Sequence, residues 1–532
     1  MDIVFLVFAF VCGVGMKTLG LPPLVGYLCA GFILHFAGFE SNPTLQALAD
    51  LGITLMLFTI GLKLNLKDLI KTEVWIGGSL HMLLWVLVSV PLFMLAAAIG
   101  VNYFSGLELQ TMLVLCFAMS FSSTVCVVKI LEESGESKTR HGKIALGILV
   151  LQDIFAVLYM ALSTGQSPSV WALLLLLSIP CKPLLDKILD HAGHGELLPL
   201  TGFLVALGSY ELFTFVGIKG DLGALLVGML FAQHVKSGEL SKALLSFKDM
   251  FLIGFFLNIG FSALPTLSML LSAVLLCLLL VIKFLLFFFL FTRLKLRVRT
   301  AYLCGLIMSN YSEFGLIVGA LSVSLGLLDN QWLVVLALTV SISFIFSSIV
   351  YKTSHDQYNR FKNNLKHFQH PVRLAEDQYP TMHNADILIV GMGRVGMGAF
   401  SSLSGMRKER VWGMDADTVK IRRLQEQGLQ VINGDGEDID LWENLDLQHV
   451  KLVLIALPSV DDTAHVTQQL AYAGFTGKIA AIARYEDEVQ GLLDVGVDKV
   501  FNFFTEAGTG FAEESLQLID EETGLLLASG RS

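Results

Sequence analysis

The chain has 532 residues, more than one ordinary domain holds, and a mean hydropathy of +0.68 with only 15% charged residues lies outside the range of soluble globular proteins. Most of it must therefore lie in lipid. A net charge of -10, with no face dense in Lys, Arg and aromatic residues, argues against nucleic acid as a partner.

The start MDIVFLVFAF lacks a basic leader and a cleavage pattern, and it reads as a first membrane helix. With about 20 apolar residues needed per span, helices are predicted near 3–18, 22–38, 48–64, 74–99, 111–131, 143–164 and 170–189. Further runs follow near 197–217, 220–235, 248–263, 267–292, 300–325 and 330–351, which makes about thirteen by the same ruler. Basic residues alternate between loops: Lys17, then Lys63, Lys67 and Lys71, then Lys138, Arg140 and Lys143, then Lys182 and Lys187, then Lys236 and Lys242, then Arg293 to Arg299. The other loops hold almost none, Lys219 excepted. This alternation places the N-terminus outside and everything after Tyr351 in the cytoplasm. Seven cysteines, mostly within apolar runs and with no CxxC pair, argue against a disulfide framework or a zinc site.

Residues 352–383 turn abruptly polar, with Pro371 and Pro380 as breakers, and are expected to form a linker that is helical in part. From residue 384 the composition becomes rich in Asp and Glu. The short runs ILIV, RVWGMD, QVIN, LVLIAL, KIAAIA and KVFNF alternate there with helix-length stretches, which predicts a doubly wound parallel α/β sheet of Rossmann type. The expected organisation is thus a membrane domain over 1–351, a linker over 352–383 and a soluble domain over 384–532.

An ionisable side chain inside a membrane helix costs a few kcal/mol, so each one is a candidate functional residue. Asp153 follows Gln152 in GILVLQDIFAVLYM, Lys283 interrupts LLLVIKFLLFFF, and Glu313 lies in MSNYSEFGLIVG. Two helices also carry small polar runs, SFSSTV (120–125) and SNYSEFG (309–315), and these fall in the fifth helix of each half if the chain is folded about its seventh. Matching polar runs suggest broken helices that cross at a site within an inverted repeat. Ser/Thr packing between helices is the plainer alternative for either run alone.

The stretches LPPLVGYLCAGFIL (21–34), LGITLMLFTIGLKL (51–64), GFFLNIGFSA (254–263) and NYSEFGLIVG (310–319) resemble the second cation:proton antiporter superfamily, in its order and across residues 1–350. The resemblance implies that Asp153 is a shared site for proton and cation, surrounded by broken crossing helices. Gln152 beside it is similar to the Kef-type potassium/proton exchangers of bacterial inner membranes. A single carboxylate that holds either H⁺ or K⁺ would exchange one for the other. Gln152, Ser122, Ser123 and Thr124 would add neutral oxygens around the cation, and these suit a large, weakly hydrated ion. Lys283 resembles the family's membrane lysine, which could pair with Asp153 when no ion is bound, and Glu313 would balance the crossing helix ends. Asp221 departs from the small apolar residue expected at its position. A Na⁺/H⁺ exchanger of the same architecture is the alternative; a ligand-gated channel would need a TVGYG-like filter, and the sequence has none.

In the soluble part, Gly391-x-Gly393-x-x-Gly396 follows the strand ILIV, and Asp415 ends the next strand, as a dinucleotide fingerprint requires. Gly391, Gly393, Arg394, Val395 and Gly396 would cradle phosphate, and Asp415 would bind ribose hydroxyls and disfavour a 2′-phosphate. No catalytic constellation accompanies the fingerprint, so a hydride-transfer enzyme is not expected. The order GMGRVG, Asp415 and the NGDGED turn at Asp435 resembles the potassium-conductance regulatory (KTN, or RCK) domain. That resemblance implies a bound nucleotide such as AMP, ATP or NAD(H), a homodimer, and gating of the attached transporter by occupancy. Glutathione-gated members carry further arginines; here Arg394 and Arg484 remain, but QGLLDVGV stands where another is expected, which places glutathione control in doubt.

Overall fold

A computed structural model describes residues 3–515, apart from 19–22, 64–70, 101–103, 164–181, 194, 217–219, 233, 235, 263, 375–376, 407–409, 458, 510 and 513–514. The chain divides into two compact units. The first comprises Met1–Ile130 and Lys143–Val372; the second comprises Leu131–Gly142 and Arg373–Ser532.

The first unit is helical. Its elements begin with α1 (Ile3–Thr18), α2 (Pro23–Phe36), α3 (Pro43–Lys63), α4 (Thr72–Ala98), α5 (Leu109–Ala118), α6 (Thr124–Glu133) and α7 (Arg140–Ser163). They continue with α8 (Lys182–His191), α9 (Leu197–Phe215), α10 (Gly220–Phe231), α11 (Ser237–Ser262), α12 (Leu267–Leu278) and α13 (Leu280–Arg293), and end with α14 (Val298–Ile307), α15 (Glu313–Ser324), α16 (Asn330–Lys352) and α17 (Ser354–Leu365). Among the described residues, four stretches, Thr72–Ala98, Leu197–Phe215, Leu267–Arg293 and Asn330–Lys352, are each long and apolar enough to cross a membrane. Most of the seventh predicted span lies outside the described residues.

One expectation is met and two change. The spans predicted at 111–131 and 300–325, expected to break at their polar runs, are each two half-helices, α5 with α6 and α14 with α15, separated by non-helical backbone at 120–123 and 309–312. The run near 248–263 starts earlier, because Leu240 and Leu244, one turn apart, are both buried against α3 and α9 residues and hold α11 helical from Ser237. The expected linker opens with α17, a helix that seats Tyr358 and Lys362 on its buried side. The tyrosine ring lies 5.6 Å from that of Tyr302 on α14, so α17 is part of the helical unit.

The second unit holds a six-stranded parallel sheet in the order β3-β2-β1-β4-β5-β6. Its strands are β1 (Ile387–Val390), β2 (Val411–Asp415), β3 (Val431–Asn433), β4 (Leu452–Ile455), β5 (Lys478–Ala483) and β6 (Lys499–Asn502). Helices α18 (Arg394–Met406), α19 (Thr418–Glu426), α20 (Ile439–Asn444), α21 (Val460–Tyr472) and α22 (Glu486–Asp494) alternate with them. All four residues of β1 are buried, as a central parallel strand covered on both faces requires. The strand order reverses between β1 and β4, and that is where such sheets leave a crevice at their carboxyl ends.

Candidate functional site

In the helical unit, α5 ends at Ala118 and α14 at Ile307, and the four residues after each cap leave main-chain groups without helical partners. The two breaks satisfy one another. Asn310 Oδ1 accepts from the Ser123 N–H at 2.7 Å, and the Ser122 hydroxyl donates to the Met308 carbonyl at 2.7 Å. Side chains from elsewhere complete the crossing. Lys283 Nζ on α13 donates to the carbonyls of Phe121 (2.7 Å), Asn310 (2.8 Å) and Met119 (3.2 Å), so one buried ammonium ties the carbonyl ends of both half-helices. A cation suits that place, because helix C-termini carry partial negative charge. The ammonium also lies 5.1 Å from the centre of the Tyr311 ring. Close approach of the two broken segments needs Gly315, where any Cβ would collide with the Ala118 carbonyl.

Gln152 and Asp153 sit side by side on α7, exposed by 0% and 1%. Gln152 is already engaged: its Oε1 accepts from the Ser122 N–H at 2.8 Å, and its amide donates to the Ser120 carbonyl at 3.4 Å. Asp153 Oδ2 accepts from the Thr124 hydroxyl at 3.0 Å, at the first residue of α6. Asp153 Oδ1 is buried and has no hydrogen-bond partner among the described residues. Glu313, 2% exposed in the first turn of α15, accepts from the Ser123 hydroxyl at 2.7 Å. Adjacent hydroxyls, Ser123 and Thr124, thus hold two carboxylates near the amino ends of α6 and α15, the ends that favour negative charge.

The structure therefore brings Asp153, Gln152, Ser122, Ser123, Thr124, Lys283 and Glu313 to one crossing. Two assignments change. The three hydrogen bonds of Lys283 go to main-chain carbonyls rather than to Asp153, and Gln152 braces the break with both ends of its amide. Sequence reasoning missed Asn310, which bridges the two breaks; its place inside the SNYSEFG run was the available signal. The side chain of Asp221 lies outside the described residues.

In the second unit, β1 runs into Gly391, whose φ of +92° and whose contact with the Ala456 carbonyl exclude a side chain. Gly396 packs on the Gly391 carbonyl, where a Cβ would collide, whereas a Cβ at Gly393 would meet only open space. Bare main chain facing open space at the start of α18 suits a phosphate group. A cleft of about 740 Å³ opens there. It is lined by Gly391, Gly393, Arg394, Val395, Asp415 and Asp435 among others, and Arg484 and Tyr485 also face it. Asp415 Oδ2 accepts from the Met392 N–H at 3.0 Å, and its Oδ1 accepts from the Asp417 N–H at 2.8 Å.

Lys420, one turn into the helix after Asp415, was not anticipated. Its Nζ lies 2.5 Å from Asp415 Oδ2, which offsets the acid's charge, so exclusion of a 2′-phosphate does not follow from Asp415 alone. A second acidic patch lines the cleft at Glu437 and Asp462. Burial first, then the charge of Glu437, pushes the Asp462 carboxyl up to about 6; the Glu136 charge acts the same way, and Ser459 and His465 oppose it.

Half-helices crossing at their breaks beside a buried acid define a secondary transporter, and the chain belongs to the sodium/hydrogen exchanger family of cation/proton antiporters, whose transmembrane pattern matches residues 5–353. The pattern of the TrkA-N domain matches residues 387–503. Over 93% of either chain, the protein is 25% identical to one named as a cation/proton antiporter, YbaL of Escherichia coli K12. It is 26% identical to one named as a K⁺ efflux antiporter, KefB of Alkalimonas amylolytica, over 94% of this chain and 78% of that one. The sodium proton antiporter MjNhaP1 of Methanocaldococcus jannaschii shares the membrane fold, with a TM-score of 0.50 at 12% identity, over 66% of this chain and 95% of that one.

Proposed function

We propose that the chain exchanges K⁺ for H⁺ by alternating access at Asp153, under the control of a nucleotide bound to the second unit. The observation that carries the reading is the buried Oδ1 of Asp153, which has no hydrogen-bond partner among the described residues, beside two helix breaks. A carboxylate in that setting is neutralised by a proton or by a cation, one at a time, and that competition is what couples the two fluxes. Thr124, Ser122 and Ser123 offer hydroxyl oxygens to the cation. Gln152 and Asn310 keep the broken backbone in place, Lys283 holds its carbonyl ends, and Glu313 balances an amino end. The name of the Alkalimonas relative supports K⁺ as the cation. Because the Gln152 oxygen already accepts from Ser122, the preference for K⁺ over Na⁺ has less support from that residue, and Na⁺/H⁺ exchange is the second reading.

The nucleotide reading rests on the glycine loop, on Asp415 and on the cleft between them; AMP, ATP and NAD(H) are its candidate occupants. Loop charges support an orientation with the N-terminus outside and the sheet domain in the cytoplasm; the resemblance to the Kef-type exchangers implies a bacterial inner membrane, and that to the KTN domain a homodimer.

Proteoliposomes loaded with a pH-sensitive dye test the exchange. The parent should alkalinise or acidify in response to an imposed K⁺ gradient, and Asp153→Asn should abolish the response. Cation-driven proton movement that persists in the variant contradicts the site, and a response to Na⁺ alone selects the second reading.

A further inference from the structure

The cleft of the second unit has a wall that its glycine fingerprint does not supply. The turn joining α6 to α7, Leu131–Gly142, belongs to that unit, and within it Ser134, Gly135, Glu136 and Thr139 line the cleft. The turn is a built structure rather than a slack connection. His141 Nε2 lies 3.2 Å from the buried Glu136 carboxylate, and the Thr139 hydroxyl donates to the Glu136 carbonyl at 2.7 Å. Gly135 adopts φ +68°, and a Cβ there would come within 2.8 Å of Asp462 Oδ2, so the turn approaches the cleft's acidic edge at a residue without a side chain. Arg140 lies 3.7 Å from the buried Asp377, a second attachment to the unit.

Both ends of the turn lead into the transport site. On one side the chain continues back into α6, whose first residue, Thr124, donates to Asp153; on the other it continues into α7, which carries Gln152 and Asp153. We propose that the turn Ser134–Thr139 is part of the nucleotide-binding site and that occupancy reaches the cation site through it, along α6 and α7. The proposal rests on the nucleotide reading above. A ligand that fills the cleft fixes the turn, and a fixed turn restricts the two helices that must move for Asp153 to face alternate sides.

Hydrogen exchange of the full chain in detergent, with and without AMP or NADH, tests this. Peptides covering 391–396 and 131–142 should both exchange severalfold more slowly with one of these nucleotides. Protection of the glycine loop alone overturns the proposal and leaves the nucleotide site standing; protection of neither overturns both. In proteoliposomes the ratio of transport rates with and without nucleotide should fall to near one in Arg140→Gln, with the glycine loop still protected by ligand. A ratio equal to the parent's, in a variant that still binds, overturns the coupling.

Discussion

Lys283 directs its three N–H groups at three carbonyls, two of them 162 and 164 residues away in the chain. The cost of a charge in lipid made the lysine legible in the sequence, as it did Asp153 and Glu313. Its partners were not legible, because main-chain carbonyls carry no residue signature and a nearby acid is the natural guess. Gln152 illustrates the same limit: its identity can be read, but the direction of its amide depends on where the break places the Ser122 N–H. Removing the ammonium leaves three buried acceptors unmatched, at roughly 1–3 kcal/mol each. Lys283→Met should therefore lower the thermal midpoint of the purified protein by ~5 °C or more and depress transport as well. If the lysine served mainly to pair with Asp153, the double variant with Asp153→Asn would recover the lost stability; with carbonyls as its partners, it should not.

Among the elements, the polar runs of the sequence located the two broken helices, although helix-length hydropathy drew each as one continuous span. A window of apolar residues does not register four residues of irregular backbone when Phe121 and Tyr311 lie among them. Packing distinguishes the glycines of α15, where composition does not. At Gly315 the obstacle is the Ala118 carbonyl, a rigid neighbour, whereas at Gly319 the first contact is the Leu336 Cδ1 at 3.0 Å, a side-chain end that can shift. Gly315→Ala should abolish transport and reduce the yield of monodisperse protein on size-exclusion chromatography. Gly319→Ala should retain most of its transport and change stability by less than about 1 kcal/mol. Equal losses in the two variants would contradict the close crossing. Helix α17 was read as linker because its surface is polar; its buried stripe, Tyr358 and Lys362, is too narrow to dominate the composition.

At the scale of the whole molecule, composition separated a lipid-embedded part from a soluble one, and the period of short apolar runs gave the parallel sheet. It did not reveal that a turn between two membrane helices belongs to the soluble unit, since Leu131–Gly142 looks like any short charged loop. The acidic edge of the cleft yields a pH test. The Asp462 carboxyl is held at about 6 in the folded protein, above the roughly 3.9 of an unfolded aspartate. The folded state thus binds this proton more tightly, so the stability it contributes is complete below about pH 4 and is lost as pH rises through about 6. Asp462→Asn, which keeps no charge against Glu437 and Glu136, should melt a few degrees above the parent at pH 8, with the gap narrowing on acidification and closing below about pH 4. A gap that widens on acidification contradicts the assignment.

The seat of Lys283 also has an electrical consequence. An ammonium tied to three main-chain carbonyls moves out and back with them, so over a full cycle of the proposed exchange the net charge that changes sides is that of the ions Asp153 carries. One K⁺ against one H⁺ is then neutral. The membrane potential neither drives nor opposes the cycle, the K⁺ ratio across the membrane follows the H⁺ ratio alone, and a voltage clamp across a supported bilayer should record no sustained current while exchange proceeds.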